Sequence, residues 1–155
     1  MGREIRKVPP NWEHPKDAQG RYVPLLDVDY ESAAASWAAE YEQWRDGTHP
    51  RQQGEFGCEE KWFWDYDSPP DRETCRPKFL EPATWFQVYE TVSEGTPTTP
   101  PFATASELID HLVRHGEFGE HEGWPRRSAE HLVGGGYMPS LIVDASGIRL
   151  PRDQP

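Results

Sequence analysis

An α+β fold is predicted by three observations: a period-two apolar run at residues 85–92, helix-period runs with caps at residues 30–46 and 106–115, and abundant breakers between them. Sixteen prolines and thirteen glycines in 155 residues divide the remainder into short pieces and predict long ordered loops. The expected architecture is a small antiparallel sheet packed by about three helices. At this length a chain buries about 70% of its unfolded surface, which suits a single domain over residues 1–155. Hydrophobic residues make up 35% of the chain and seven are tryptophans, so large rings must anchor the core.

Residues 1–24 carry Pro9, Pro10, Pro15 and Pro24 and read as an extended arm packed on the body through Ile5, Val8, Trp12 and Tyr22. The helix at 30–46 is capped by Asp27 or Asp29 and stopped by Gly47; Ala34, Trp37, Ala38, Tyr41 and Trp44 recur at helical spacing. Trp37 and Tyr41 are its expected covering rings. Residues 47–84 form a long irregular segment. Within it, Lys61 to Asp71, if extended, alternates Trp62, Trp64 and Tyr66 against Phe63, Asp65 and Asp67, which suits an edge strand or an exposed binding ridge, the alternative being that the rings complete the core under a loop.

In 85–92, Phe86, Val88 and Val92 share one face, and Trp85, Gln87, Tyr89 and Thr91 the other. Ser93-Glu94-Gly95-Thr96-Pro97 then ends the strand and aims the chain toward the next helix, with Ser93, Glu94 and Gly95 as a candidate ligand loop. Thr104 or Ser106 caps the helix at 106–115, which Gly116 stops. Ser128 is the expected cap of a short helix to Val133, ended by Gly134-Gly135-Gly136. A hairpin follows, with strands at 141–144 and 148–151. These strands join 85–92 in the sheet, extended by 98–103 or 62–66.

The formal charge of −11 is concentrated. Residues 1–21 balance to +2, whereas residues 22–75 hold four Lys/Arg against thirteen Asp/Glu, a balance of −9. Such a surface repels phosphate, which disfavours nucleic acid and anionic lipid and favours a protein with a basic surface. Trp62, Trp64, Asp65, Tyr66, Asp67 and Asp71 supply both rings and charge, and are the candidate partner-binding residues. No apolar run is long enough to span a bilayer, and the first ten residues lack a signal-peptide core, which predicts a cytoplasmic protein. Cys58 and Cys75 are then expected as free thiols.

Catalytic motifs are weak. Neither serine at 93 or 106 lies in a nucleophile elbow, neither cysteine has a Cys/His context, and acidic pairs such as Asp65 with Asp67 are too common to mark an acid and base. The metal alternative is His111, His115, His121 and His131, in which the first two are four apart on a helix face. His111 lacks the adjacent Glu of a His-Glu-x-x-His motif. No cofactor is expected.

The opening Gly2-Arg3-Glu4-Ile5-Arg6, Val8-Pro9, Trp12 and His14-Pro15, the segment Tyr89 to Pro97, and Phe102, Thr104 and Glu107-Leu108-Ile109 resemble a family of small phage and prophage proteins. The resemblance covers most of the chain. It implies a phage or prophage accessory protein of the host cytoplasm, acting without catalysis by binding a host or phage protein. Combined with the acidic middle, it suggests inhibition of a nucleic-acid-handling defence complex, as anti-CRISPR proteins do. The alternatives are a metal-binding module or metal-dependent enzyme built on the four histidines, and a virion structural or assembly factor.

Overall fold

The computed structural model describes residues 2–54, 59–91, 95–117, 123–139, 142–144 and 147–149. An α+β fold is formed, and the chain groups into two compact units: Leu26–Lys78, and Met1–Leu25 with Phe79–Pro155.

The discontinuous unit is built on an antiparallel sheet of β1 (Arg3–Val8), β4 (Trp85–Glu90), β5 (Thr96–Pro97) and β6 (Tyr137–Met138), in the order β5-β4-β1-β6. Residues 3–8 of the Pro-rich arm are thus a central strand. Prolines begin at Pro9, so every backbone donor of β1 remains free to pair, which its neighbours Arg3-Glu4 and Lys7 conceal from a hydropathy reading. Ile5 pairs with Val88 and Arg6 with Gln87, which sets the two faces of the sheet.

One face packs on α3 (Ala105–His115) and α4 (Arg126–Gly135). Val88, Leu108, Leu112, Trp124, Ala129, Leu132 and Met138 form this core, with Ile5 and Phe86 against it. Thr104 caps α3 in a reciprocal box: its hydroxyl accepts from the Glu107 amide at 3.2 Å, and the Glu107 carboxylate accepts from the Thr104 amide at 3.1 Å. Thr104→Ala is expected to cost about 1 kcal/mol, lowering Tm by about 2–4 °C in a thermal melt.

Four expectations change. Ser128 is buried inside α4, whose cap is Pro125, because the helix starts a turn earlier than the first good capping side chain suggests. Residues 98–103 are not a strand; Phe102 makes an isolated bridge to Phe86. The hairpin of β7 (Ile142–Asp144) and β8 (Gly147–Arg149) forms, but as a separate two-stranded sheet rather than in the sheet of β4, whose two edges are taken by β1 and β5. Residues 63–66 are a turn of helix rather than a strand, as described below.

The other unit contains β2 (Leu26–Asp29), α1 (Tyr30–Arg45), the one-turn helix α2 (Phe63–Tyr66) and β3 (Cys75–Arg76). β2 and β3 pair in parallel. Asp29 caps α1, accepting from the Ser32 amide at 3.1 Å and its hydroxyl at 2.9 Å; these bonds to Ser32 hold the carboxyl below its ordinary range. Cys75 is a buried free thiol, and Cys58 lies outside the described residues.

Candidate functional site

On α1, Trp37, Tyr41 and Trp44 follow at four- and three-residue spacing and therefore rise from one face of the helix. A short turn of helix faces them. Trp62 is the extended cap of α2, and from Phe63 onward each residue rotates by about 100° instead of alternating. The consequence is selective: Phe63 points inward and is 1% exposed, whereas Trp62, Trp64 and Tyr66 remain 48%, 45% and 42% exposed. This corrects the extended reading of 62–66. A period-two pattern and a single helical turn are hard to separate over five residues that are mostly aromatic.

Phe63 is the hub of the ring cluster. Its centroid lies 5.2 Å from Trp37, 5.5 Å from Trp44 and 5.7 Å from His49. Outside it the rings stack in series: Trp62 on Trp64 at 5.2 Å, Trp64 on Tyr41 at 6.5 Å, and Tyr41 on Trp37 at 5.6 Å. Tyr66 stacks separately on Trp44 at 5.5 Å. Trp37 is half-buried, and the fully enclosed tryptophan of α1 is Trp44; the Trp37 indole N–H donates to the Asp67 carbonyl at 2.9 Å and so ties α1 to α2. Stacked neighbours fix the exposed rings in place, so little rotamer freedom remains to be lost on binding.

The surroundings are charged. Asp65 and Asp67 are exposed beside the rings. The Lys61 ammonium lies 4.9 Å from the Trp62 ring centre, and the Arg51 guanidinium 5.7 Å from that of Tyr66. The ridge therefore already holds two cations of its own chain over its ring faces. Asp71 belongs to a following turn, where its carboxylate accepts from the Glu73 amide at 2.9 Å. Its role is local.

His49 carries little sequence signal of its position, being one residue before a proline. It is buried, accepts at Nδ1 from the Arg51 amide at 3.2 Å, and places Nε2 3.4 Å from the Glu40 carboxylate. It thereby closes the inner end of the ring cluster against Trp44 and Tyr66.

The other candidate groups lie elsewhere. Gly95 belongs to the discontinuous unit, while Ser93 and Glu94, like Val92, lie outside the described residues. His111 and His115 are neighbours on α3, with ring centres 5.2 Å apart, and His111 also meets Phe102 at 4.8 Å. Burial and then the nearby His115 hold His111 below the ordinary imidazole range. His131 is exposed on α4, and His121 lies outside the described residues. Among the described residues no three His, Cys, Asp or Glu side chains gather as a metal site would require.

No protein-family model, curated protein or solved structure matches the chain. Among the described residues no helix is long and apolar enough to cross a membrane.

Proposed function

We propose that this is a phage or prophage accessory protein that acts without catalysis, by binding a host or phage protein with a basic surface through the ridge of Trp62, Trp64 and Tyr66. The observation that carries the reading is the array itself: Trp62 at the cap of a one-turn helix and Trp64 and Tyr66 within it stand more than two-fifths exposed, while Phe63, its first residue, is almost wholly buried. Aromatic anchors held rigidly among carboxylates suit arginine and lysine side chains, which stack on ring faces and pair with acids at the rim. Lys61 and Arg51 occupy two such positions within the chain, and a partner's cations can replace them. The −9 balance of residues 22–75 supplies long-range attraction to a basic groove, including one built to hold nucleic acid in a defence complex.

The test is capture of partners from host lysate by the tagged full chain at low and moderate salt, followed by affinity measurement on the captured protein. Binding is expected to weaken as salt rises. Asp65→Asn with Asp67→Asn should slow association and flatten the salt dependence, and Trp62→Ala should lower affinity by about thirtyfold, the loss typical of a central anchor. A captured protein that binds all three forms equally does not use this ridge.

A further inference from the structure

The sheet face opposite the helical core carries a second, unrelated feature. A cavity of about 350 Å³ is walled by Trp12, Tyr22, Pro100 and Pro101 and bounded by His14 and Gln87. Asn11, at φ 56°, turns the chain after Pro10, and Trp12 and His14 come back onto Tyr89 of β4. His14 and Gln87 are 7% and 3% exposed.

Counting hydrogens in this cluster shows a deficit. The Val23 carbonyl, 2.7 Å from His14 Nε2, can only accept, so Nε2 carries a proton. The Trp12 indole N–H donates to the Tyr89 hydroxyl at 3.2 Å. Gln87 Nε2 donates to the Thr99 carbonyl at 2.7 Å, which directs Gln87 Oε1 to the same hydroxyl at 3.1 Å. His14 Nδ1 lies 3.2 Å from that hydroxyl as well. With His14 neutral, the single phenolic hydrogen faces two buried acceptors, Nδ1 and Oε1. Among these groups the neutral network is one hydrogen short.

Two donors can make up the deficit. Protonation of His14 would place a hydrogen on Nδ1, which then donates to Tyr89 while Tyr89 donates to Gln87. Burial opposes this and lowers the His14 pKa; the Val23 carbonyl pulls it back up, and the Arg6 charge adds to the lowering. The other source is a molecule in the cavity. We propose that the cavity binds a small, planar, neutral molecule with an N–H donor on its edge, of the nucleobase or cyclic-amide class, whose hydrogen completes the His14–Tyr89–Gln87 network. Flat indole, phenol and proline walls select a planar shape, and the volume lies near the lower limit for ligand pockets, which favours one or two fused rings. Lys16 and Glu13, which also line the cavity, are of opposite sign and favour a ligand without net charge.

Protonation and ligand then compete for the same acceptor, so affinity must fall on acidification. Facing the cluster are Glu4 and Arg6 from β1, paired with each other at 2.6 Å, Tyr89 from β4, and Glu13, Lys16 and Tyr22 from residues 9–25. Of these and His14, the imidazole is the group whose ordinary value, about 6.5, lies within the working range.

The experiment is a titration of the ¹⁵N-labelled full chain with uracil, hypoxanthine, benzimidazole and 1,3-dimethyluracil, followed by NMR. At least one N–H compound is expected to shift the Trp12 indole and Gln87 amide signals at about pH 7.5, with affinity falling by up to about tenfold per pH unit below the His14 pKa. The dimethylated ring, which has no N–H, is expected to leave both signals in place. The proposal is overturned if no N–H compound binds at millimolar concentration, if 1,3-dimethyluracil binds as well as uracil, or if affinity rises as His14 takes up its proton.

Discussion

Phe63→Ala is expected to cost about 3–5 kcal/mol, as removal of a fully buried phenylalanine does when its neighbours cannot close the space. The neighbours here are rings. Trp37, Tyr41, Trp44, His49 and Tyr66 all have their centres within 6.2 Å of Phe63, and planar side chains with two rotatable bonds collapse poorly into a benzyl-sized void. Phe63→Leu, which restores most of the volume, should cost less than about 2 kcal/mol. Urea denaturation followed by tryptophan fluorescence checks both, because Trp37 and Trp44 report on this cluster directly. A loss for Phe63→Ala below about 1 kcal/mol would mean that the rings do not pack as described. The same substitution links stability to function: with the hub gone, Trp62 and Trp64 lose the stack that runs through Tyr41 to Trp37, and partner affinity should fall although neither ridge ring was altered.

The elements that could be read from the chain were those whose signals are local. The strand at 85–92, the helices beginning near 30 and 105, their caps and the final hairpin each depend on periodicity or on a capping residue within a few positions. β1 could not be found this way. Arg3-Glu4 and Lys7 give it a polar pattern, and distant groups join in satisfying its charges: Arg3 pairs with Glu90 and Glu117, and Arg6 donates to the Leu25 carbonyl as well as pairing with Glu4. The candidate ridge was legible as composition but not as geometry. That Phe63 would be the buried ring, in place of Trp62 or Trp64, depends on α1 offering a matching surface 19 to 26 residues earlier, and such pairing leaves no trace in a short window. The His14 cluster is less legible still, because its four members come from positions 12 to 89 and have ordinary residue types.

Gly95→Ala should be strongly damaging to the discontinuous unit. Gly95 sits at φ +100°, and a Cβ there would lie 2.0 Å from the Leu25 carbonyl oxygen and within 2.6 Å of the Arg6 guanidinium. The space is already used: Arg6 donates to that carbonyl at 2.6 Å, and the Leu25 amide donates to the Gly95 carbonyl at 3.3 Å. Alanine would bear about 1–2 kcal/mol of backbone strain, about 1–3 from overpacking, and about 1–3 from disruption of a buried charged hydrogen bond. On the order of 4 kcal/mol is expected. This supports a structural role for the turn after β4, in which glycine is needed for close approach rather than for holding a ligand. Because Arg6 also stacks 4.5 Å from the Tyr89 ring centre, its displacement should shift the Trp12 and His14 NMR signals as well. Gly134→Ala is the counterpart: nothing lies within 4 Å of its added methyl inside α4, and it should stabilise by about 0.5–1 kcal/mol through the higher helix propensity of alanine. Thermal and urea unfolding of the two variants beside the parent chain decides the matter. Equal stability of Gly95→Ala and the parent would show that the turn tolerates a side chain, remove the structural explanation for its glycine, and return the loop to consideration as a binding element.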